Sequence, residues 1–230
     1  VVIALVGILT ALLLPALGKA RETARTIQCL SQLRDTMRAS LSYADDANGF
    51  LVDYAPEGAY YATWLELLSR YKYLDRRALV CPSGAQAPAS TDLSLARFKD
   101  TYGIYRQINE LALFYNARKA NLGNAWVYNS SWTLGGLFVN KVRDPSNLPI
   151  HADCAFAANS ATPGVGCWYF IGSQFSEASS SAGVYLVHGN KAGVAYLDGH
   201  VAASPKETLK ESPVELHCFV GQNKLLVTLW

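Results

Sequence analysis

Residues 1–18 read VVIALVGILTALLLPALG without one charged side chain, and residues 19–49 continue as KARETARTIQCLSQLRDTMRASLSYADDANG. The second stretch sets the first in context. Ala20, Ala24, Ile27, Leu30, Leu33, Met37, Leu41 and Ala44 recur at steps of three and four, the signature of one apolar helical stripe. Arg21, Glu22, Arg25, Gln28, Arg34, Asp35 and Arg38 fall on the opposite face, and Asn48-Gly49 suits a left-handed C-terminal cap. The pattern predicts one helix over residues 1–47, about 70 Å long at 1.5 Å per residue. Gly7 lowers helix propensity and Pro15 removes a backbone donor, so a kink or a locally unwound stretch is expected between them.

The charge-free run of eighteen residues sits at the lower edge of what crosses a bilayer as a helix. It begins without a Met, so a processed or longer chain is expected. Because the run passes directly into a charged helical pattern, a retained anchor is preferred to a cleaved signal peptide. In lipid, the carbonyls freed at Pro15 would call for neighbouring helices, which oligomerisation supplies. The basic residues after the run, read by the positive-inside rule, would instead leave the remainder of the chain in the cytoplasm. The expected organisation is an apolar membrane or filament-core half-helix over 1–18, an amphipathic half over 19–48, and a β-rich head with loop insertions over 49–230.

Bulk composition agrees with a folded chain carrying a covered surface. The formal charge of +2 gives no electrostatic case for nucleic acid, and none is expected as a partner. Half of the residues are hydrophobic and 11% aromatic, enough to bury a core, while only 17% are charged against roughly 25% in ordinary soluble domains. The five cysteines Cys29, Cys81, Cys154, Cys167 and Cys218 show no C-x-x-C pair, which argues against structural zinc. In an exported protein they would permit two disulfides, with Cys154–Cys167 ranked first. Buried, reduced thiols are the alternative.

In the head, Trp64, Leu65, Leu68 and Tyr71 predict a short amphipathic helix over 61–73. A Pro/Ser/Ala loop runs from Cys81 to about Asp92, residues 109–132 read as an insertion, and residues 176–181 as a Ser-rich turn. Short strands are expected over 184–188, 194–198 and 200–203, separated by turns at 189–193 and at Asp198-Gly199. A closing hairpin is expected over 214–220 and 224–229. The class is α+β, a long N-terminal helix packed on a small antiparallel β-rich head.

The run VVIALVGILTALLLPALGKARE, followed by a basic amphipathic helix, resembles the N-terminal helix of type IV pilins and type II secretion pseudopilins. Pro15 matches the family's kink and Gly7 the start of its unwound stretch, and the run resembles a continuation of the family's opening with about seven residues missing, so the family's Glu and processing site would lie ahead of Val1. A second resemblance, to prepilin-type proteins with an H-X9-DG segment, runs through Cys29-Leu30-Ser31-Gln32-Leu33, Trp64-Leu65-Glu66-Leu67-Leu68, Val80-Cys81-Pro82-Ser83, Thr101-Tyr102-Gly103, Asp144-Pro145-Ser146 and Ala152-Asp153. It ends at His188 and Asp198-Gly199-His200. These resemblances imply a pilin-like fold and a structural filament subunit, with Val2, Leu5, Gly7, Leu9, Leu12, Leu13, Pro15 and Leu17 in the filament core. Partners so implied are copies of the chain, the inner membrane before assembly, a prepilin peptidase and an assembly platform. The finished filament would be periplasmic or extracellular. The alternative is a signal-anchored, monomeric extracytoplasmic binding protein.

Asp153, His188 and Asp198, joined by His151 and His200, are candidate metal ligands, because imidazoles and carboxylates on adjacent turns can converge. The pseudopilin resemblance points to calcium on Asp153 or Asp198. The simpler reading has no cofactor: Asp198-Gly199 makes a tight turn and His188 bonds across a hairpin. There is no Gly-x-Ser-x-Gly, no H-E-x-x-H and no Gly-rich phosphate loop, so no enzymatic activity is expected. Asn129-Ser130-Ser131 forms a lone glycosylation sequon, and the arginines of the helix are expected to face solvent or neighbouring subunits.

Overall fold

The computed structural model describes residues 2–57, 60–83, 101–106, 122–128, 134–156, 166–172, 182–223 and 226–228. Helix α1 (Val2–Asp46) is unbroken through Gly7 and Pro15, in contrast to the expected unwinding. Pro15 forfeits one backbone hydrogen bond, and the flanking Ala and Leu residues are strong helix formers that keep the remaining ladder. The helix ends as its sequence predicts. Asn48 (φ 56°) and Gly49 (φ 82°) are left-handed, and Gly49 N donates to Ala44 O at 2.7 Å.

Among the described side chains, α1 meets the head from Glu22 onward. Cys29, Leu33, Thr36, Met37, Ser40 and Ala44 are buried, a face stepping by three and four residues. Ala20 and Ala24, placed on the packed stripe by periodicity, are exposed, as is Ile27 at 63%. The true face includes small polar side chains whose hydroxyls are bonded, so an apolar count alone misplaces its edge. Thr36 Oγ1, for example, donates to Gln32 O at 2.8 Å.

The expectation of inner-membrane anchoring is overturned: among the described residues no helix is long and apolar enough to cross a membrane.

Three small sheets make the head. In the first, β1 (Phe50–Glu57) and β5 (Gly135–Phe138) are central, flanked by β2 (Tyr60–Thr63) and β4 (Trp126–Tyr128), in the order β2-β1-β5-β4. The second runs β11-β10-β6-β3-β8, from β11 (Val201–Pro205), β10 (Lys191–Tyr196), β6 (Pro149–Ala152), β3 (Gly103–Tyr105) and β8 (Tyr169–Phe170). The third runs β13-β12-β9-β7, from β13 (Leu226–Thr228), β12 (Cys218–Val220), β9 (Ala182–Tyr185) and β7 (Cys154–Phe156). Pairing is antiparallel except for β3–β8 and β9–β12. The class is therefore α+β with antiparallel-rich sheets, and α1 lies against β10, β1, β6 and β11.

Helix α2 (Trp64–Arg70) is shorter than its periodicity predicts. Residues 60–63 pair with β1 instead, and Thr63 N and Oγ1 donate to Glu66 Oε2 at 2.8 and 3.1 Å, fixing the helix start. Tyr71, expected on the buried face, is 54% exposed because the helix has ended and Lys72 turns left-handed (φ 62°). The β10–β11 hairpin turns at Asp198-Gly199 as expected, with Gly199 at φ 93°. Helix α3 (Lys206–Lys210) follows β11. The closing hairpin is present as β12–β13. In the predicted turn over 189–193 only Gly189 and Asn190 are left-handed, and Lys191, Ala192 and Gly193 already belong to β10. The sequon, the Ser-rich stretch and most of the expected loop and insertion lie outside the described residues.

Candidate metal centre

Four side chains from four separate places converge beneath α1: Cys29, Cys81, Asp153 and His188, with all four candidate donor atoms within 4.8 Å of one another. Cys29 lies at the start of the buried face of α1. Cys81 follows the 3-10 turn Arg76–Leu79, which is tied down where Tyr102 N donates to Leu79 O at 2.9 Å. Asp153 is the junction at which the chain leaves β6 for β7, passing from the second sheet to the third. His188 lies three residues before the start of β10 and bridges to Lys191.

The backbone around the junction explains the convergence. Asp153 N donates to Gly193 O at 3.0 Å, and Gly193 N donates to Asp153 Oδ2 at 2.7 Å, so β10 holds the carboxylate from both sides. A Cβ on Gly193 would meet Leu33 Cδ1 at 2.8 Å, and Asp153 Oδ2 and Cys29 Sγ at 3.0 Å. Glycine is thus what lets α1 approach the sheet here.

The contacts within the cluster are short. Cys29 Sγ lies 3.4 and 3.6 Å from the two Asp153 oxygens, His188 Nε2 lies 3.3 Å from Asp153 Oδ2, and Cys81 Sγ lies 3.5 Å from His188 Nε2. A surrounding layer orients them. Thr26 Oγ1 is 3.1 Å from His188 Nδ1, with Glu22 Oε1 at 3.8 Å, and Tyr102 OH donates to Cys29 Sγ at 3.4 Å and to Gln32 Oε1 at 3.2 Å. Burial works against charge on His188, but hydrogen bonds to Asp153 and Cys81 outweigh it and push the imidazole up to about 10. The Cys81 thiol is lowered, chiefly by its hydrogen bond with Cys29 and, against burial, by His188. Its hydrogen bond with Cys81, burial and the Asp153 charge raise Cys29. The cluster gathers two sulfurs, an imidazole and a carboxylate, donor types that a transition-metal ion takes in their deprotonated forms.

Of the residues selected from sequence, Asp153 and His188 come together and Asp198 does not. Asp198 Oδ1 accepts from His200 N at 3.1 Å and lies 2.6 Å from His200 Nδ1, and His200 stacks on Tyr196 at 4.3 Å. The spacing of His188 and Asp198 marks the two ends of β10, one at the cluster and the other in the hairpin turn. His151 is buried elsewhere, 2.8 Å from Ser40 Oγ and 4.4 Å from the Trp64 ring, and burial depresses its imidazole to about 3. Calcium fits poorly at Asp153, because two sulfurs and an imidazole are not the oxygen cage that ion requires.

Periodicity and spacing overlooked Cys29 and Cys81. The legible signal was position: Cys29 lies four residues before Leu33 on the packed face, although nothing local to Cys81 announces its partner. The expected Cys154–Cys167 disulfide is corrected as well. Both thiols are free, and Cys154 Sγ donates to the Cys167 carbonyl. Burial raises Cys154 well above the ordinary thiol range and Cys167 to about 12, keeping both protonated.

At the other end of the molecule, the residues assigned to a filament core project freely. Val2 is 75% exposed and Leu12 71%, with Leu9, Leu13 and Leu17 also exposed, while the Leu5 side chain lies outside the described residues. No family model, curated protein or solved structure matches this chain.

Proposed function

We propose that the chain is a structural subunit that packs its N-terminal helix against those of other copies to build a pilin-like helical filament, and that it has no catalytic role. One observation carries this reading: the first four turns of α1 expose large apolar side chains over about two thirds of the helix circumference, and the remaining sector carries the exposed, uncharged Gly7, Ala11, Pro15 and Gly18. Val2, Ile3, Val6, Ile8, Leu9, Leu12, Leu13, Leu14 and Leu17 are each more than half exposed. A helix apolar all round requires cover all round, which one flat partner surface cannot give but a bundle of equivalent helices can. Each of these side chains leaves about 1–2 kcal/mol of burial unrealised. Nine together supply a gross gain on the order of 10 kcal/mol, comparable to the rigid-body cost of association.

The test is negative-stain electron microscopy and sedimentation of the full chain beside the double variant Leu12→Asp/Leu13→Asp. Wild-type filaments with a helical core, lost in a variant whose head remains folded by circular dichroism, are expected. A monodisperse wild-type monomer, or unchanged filaments from the variant, refutes the reading.

A further inference from the structure

We propose that Cys29, Cys81, Asp153 and His188 bind one zinc ion, which pins α1 to the head. Three donor separations in the cluster match the edges of a tetrahedral site. Zinc bound about 2.3 Å from sulfur and about 2.0–2.1 Å from nitrogen or oxygen sets tetrahedral edges of about 3.5 Å between sulfur and nitrogen or oxygen, and about 3.3 Å between nitrogen and oxygen. The corresponding separations are 3.5 Å for Cys81 Sγ to His188 Nε2, 3.4 and 3.6 Å for Cys29 Sγ to the Asp153 oxygens, and 3.3 Å for His188 Nε2 to Asp153 Oδ2. These are three of the six edges of such a site, and all four donor atoms lie within 4.8 Å of one another.

The donor set selects the metal class. Two sulfurs, an imidazole nitrogen and one carboxylate oxygen are a closed four-ligand set for a borderline-soft divalent ion, and they disfavour calcium and magnesium. The layer behind the donors resembles that of a metal site. Thr26 and Glu22 engage Nδ1 of His188 and leave Nε2 aimed at the cluster, Gly193 N–H fixes one Asp153 oxygen, and Tyr102 O–H supports Cys29. Three ligands are at most 5% exposed and Cys81 is 9% exposed, so the centre is shielded from solvent.

The consequence is structural. Cys29 belongs to the helix and the other three ligands to separate segments of the head, so one ion would tie α1, the segment after the 3-10 turn, the β6–β7 junction and the entry to β10 together. Such a site forms only in the folded chain, and its binding free energy adds to stability. This inference is independent of filament assembly, since the centre lies within a single copy.

The test uses the full chain, prepared anaerobically with reductant, stripped with chelator, and then titrated with zinc and separately with cobalt(II). Elemental analysis is expected to give one zinc per chain, and cobalt to give a thiolate charge-transfer band with the intense visible absorption of a tetrahedral site. Cys81→Ser and His188→Ala should lose stoichiometric binding, and Cys218→Ser, outside the cluster, should keep it. Thr26→Ala, which leaves all four ligands in place, should weaken binding roughly 10-fold or more. Folded wild-type protein that takes up no zinc and shows no charge-transfer band overturns the proposal, whatever the variants do. Equal binding by Cys81→Ser and wild type overturns it too, as does a Cys29–Cys81 disulfide in peptide maps of protein isolated without reductant.

Discussion

Gly193→Ala isolates the close approach of α1 to β10 more cleanly than any other single change. The added Cβ meets Leu33 Cδ1 at 2.8 Å, Asp153 Oδ2 at 3.0 Å and Cys29 Sγ at 3.0 Å. Leu33 could rotate away were it on the surface, but it is fully buried, and Asp153 is held by the amide of Gly193 itself. Relief therefore requires α1 to move outward. Overpacking of this kind costs about 1–3 kcal/mol, and for a chain of this size each kcal/mol lowers Tm by roughly 2–4 °C. A fall of about 4–8 °C is expected from a central cost of about 2 kcal/mol. Urea denaturation followed by tryptophan fluorescence on chelator-treated protein gives the free energy directly. Gly18→Ala, where nothing lies within 4 Å, is the control and should not destabilise. If steric conflict with Leu33 is the cause, Leu33→Val in the Gly193→Ala background should recover about 1 kcal/mol beyond additivity. A Gly193→Ala midpoint equal to wild type, or strict additivity with Leu33→Val, would refute the reasoning.

Two further outcomes are expected. Burial, only partly offset by Arg106, raises the Asp53 carboxyl from 3.8 to about 7, and its nearest cationic atom, Arg106 Nε, is 3.3 Å away. The folded state then holds the proton more tightly than the unfolded state. Stability from this group is full below about pH 4 and falls as pH rises through about 7, by up to about 4 kcal/mol in all. Asp53→Asn should flatten that fall in denaturation curves taken from pH 5 to 8, and a wild-type-like slope in the variant would disprove the assignment. Glu66→Ala removes the acceptor that holds Thr63 at the start of α2 and should cost about 1–2 kcal/mol in the same assay, with Glu66→Gln milder. Equal losses for both would show that the cap is not the cause.

Local rules served well where a residue's role is settled by its chain neighbours. The helix end at Asn48-Gly49, the turn at Asp198-Gly199 and the β12–β13 hairpin each depend on backbone conformations that a few adjacent residues prefer. The same rules failed at Pro15, where the helix-forming strength of its neighbours outweighed one lost hydrogen bond. They also failed at Tyr71, where a left-handed Lys72 ended the helix early.

The sequence by itself determined a long N-terminal helix, its apolar first turns and a head of short strands, because periodicity and turn chemistry act over a few residues. Which side chains meet was decided only by the tertiary structure. Cys29 and Asp153 are separated by 124 positions and Cys81 and His188 by 107, and no spacing rule links residues that far apart. Their meeting depends on a strand-to-strand junction at Asp153 and on a glycine in β10 that admits the helix. Both are consequences of how the sheets pack, and neither has a local signature.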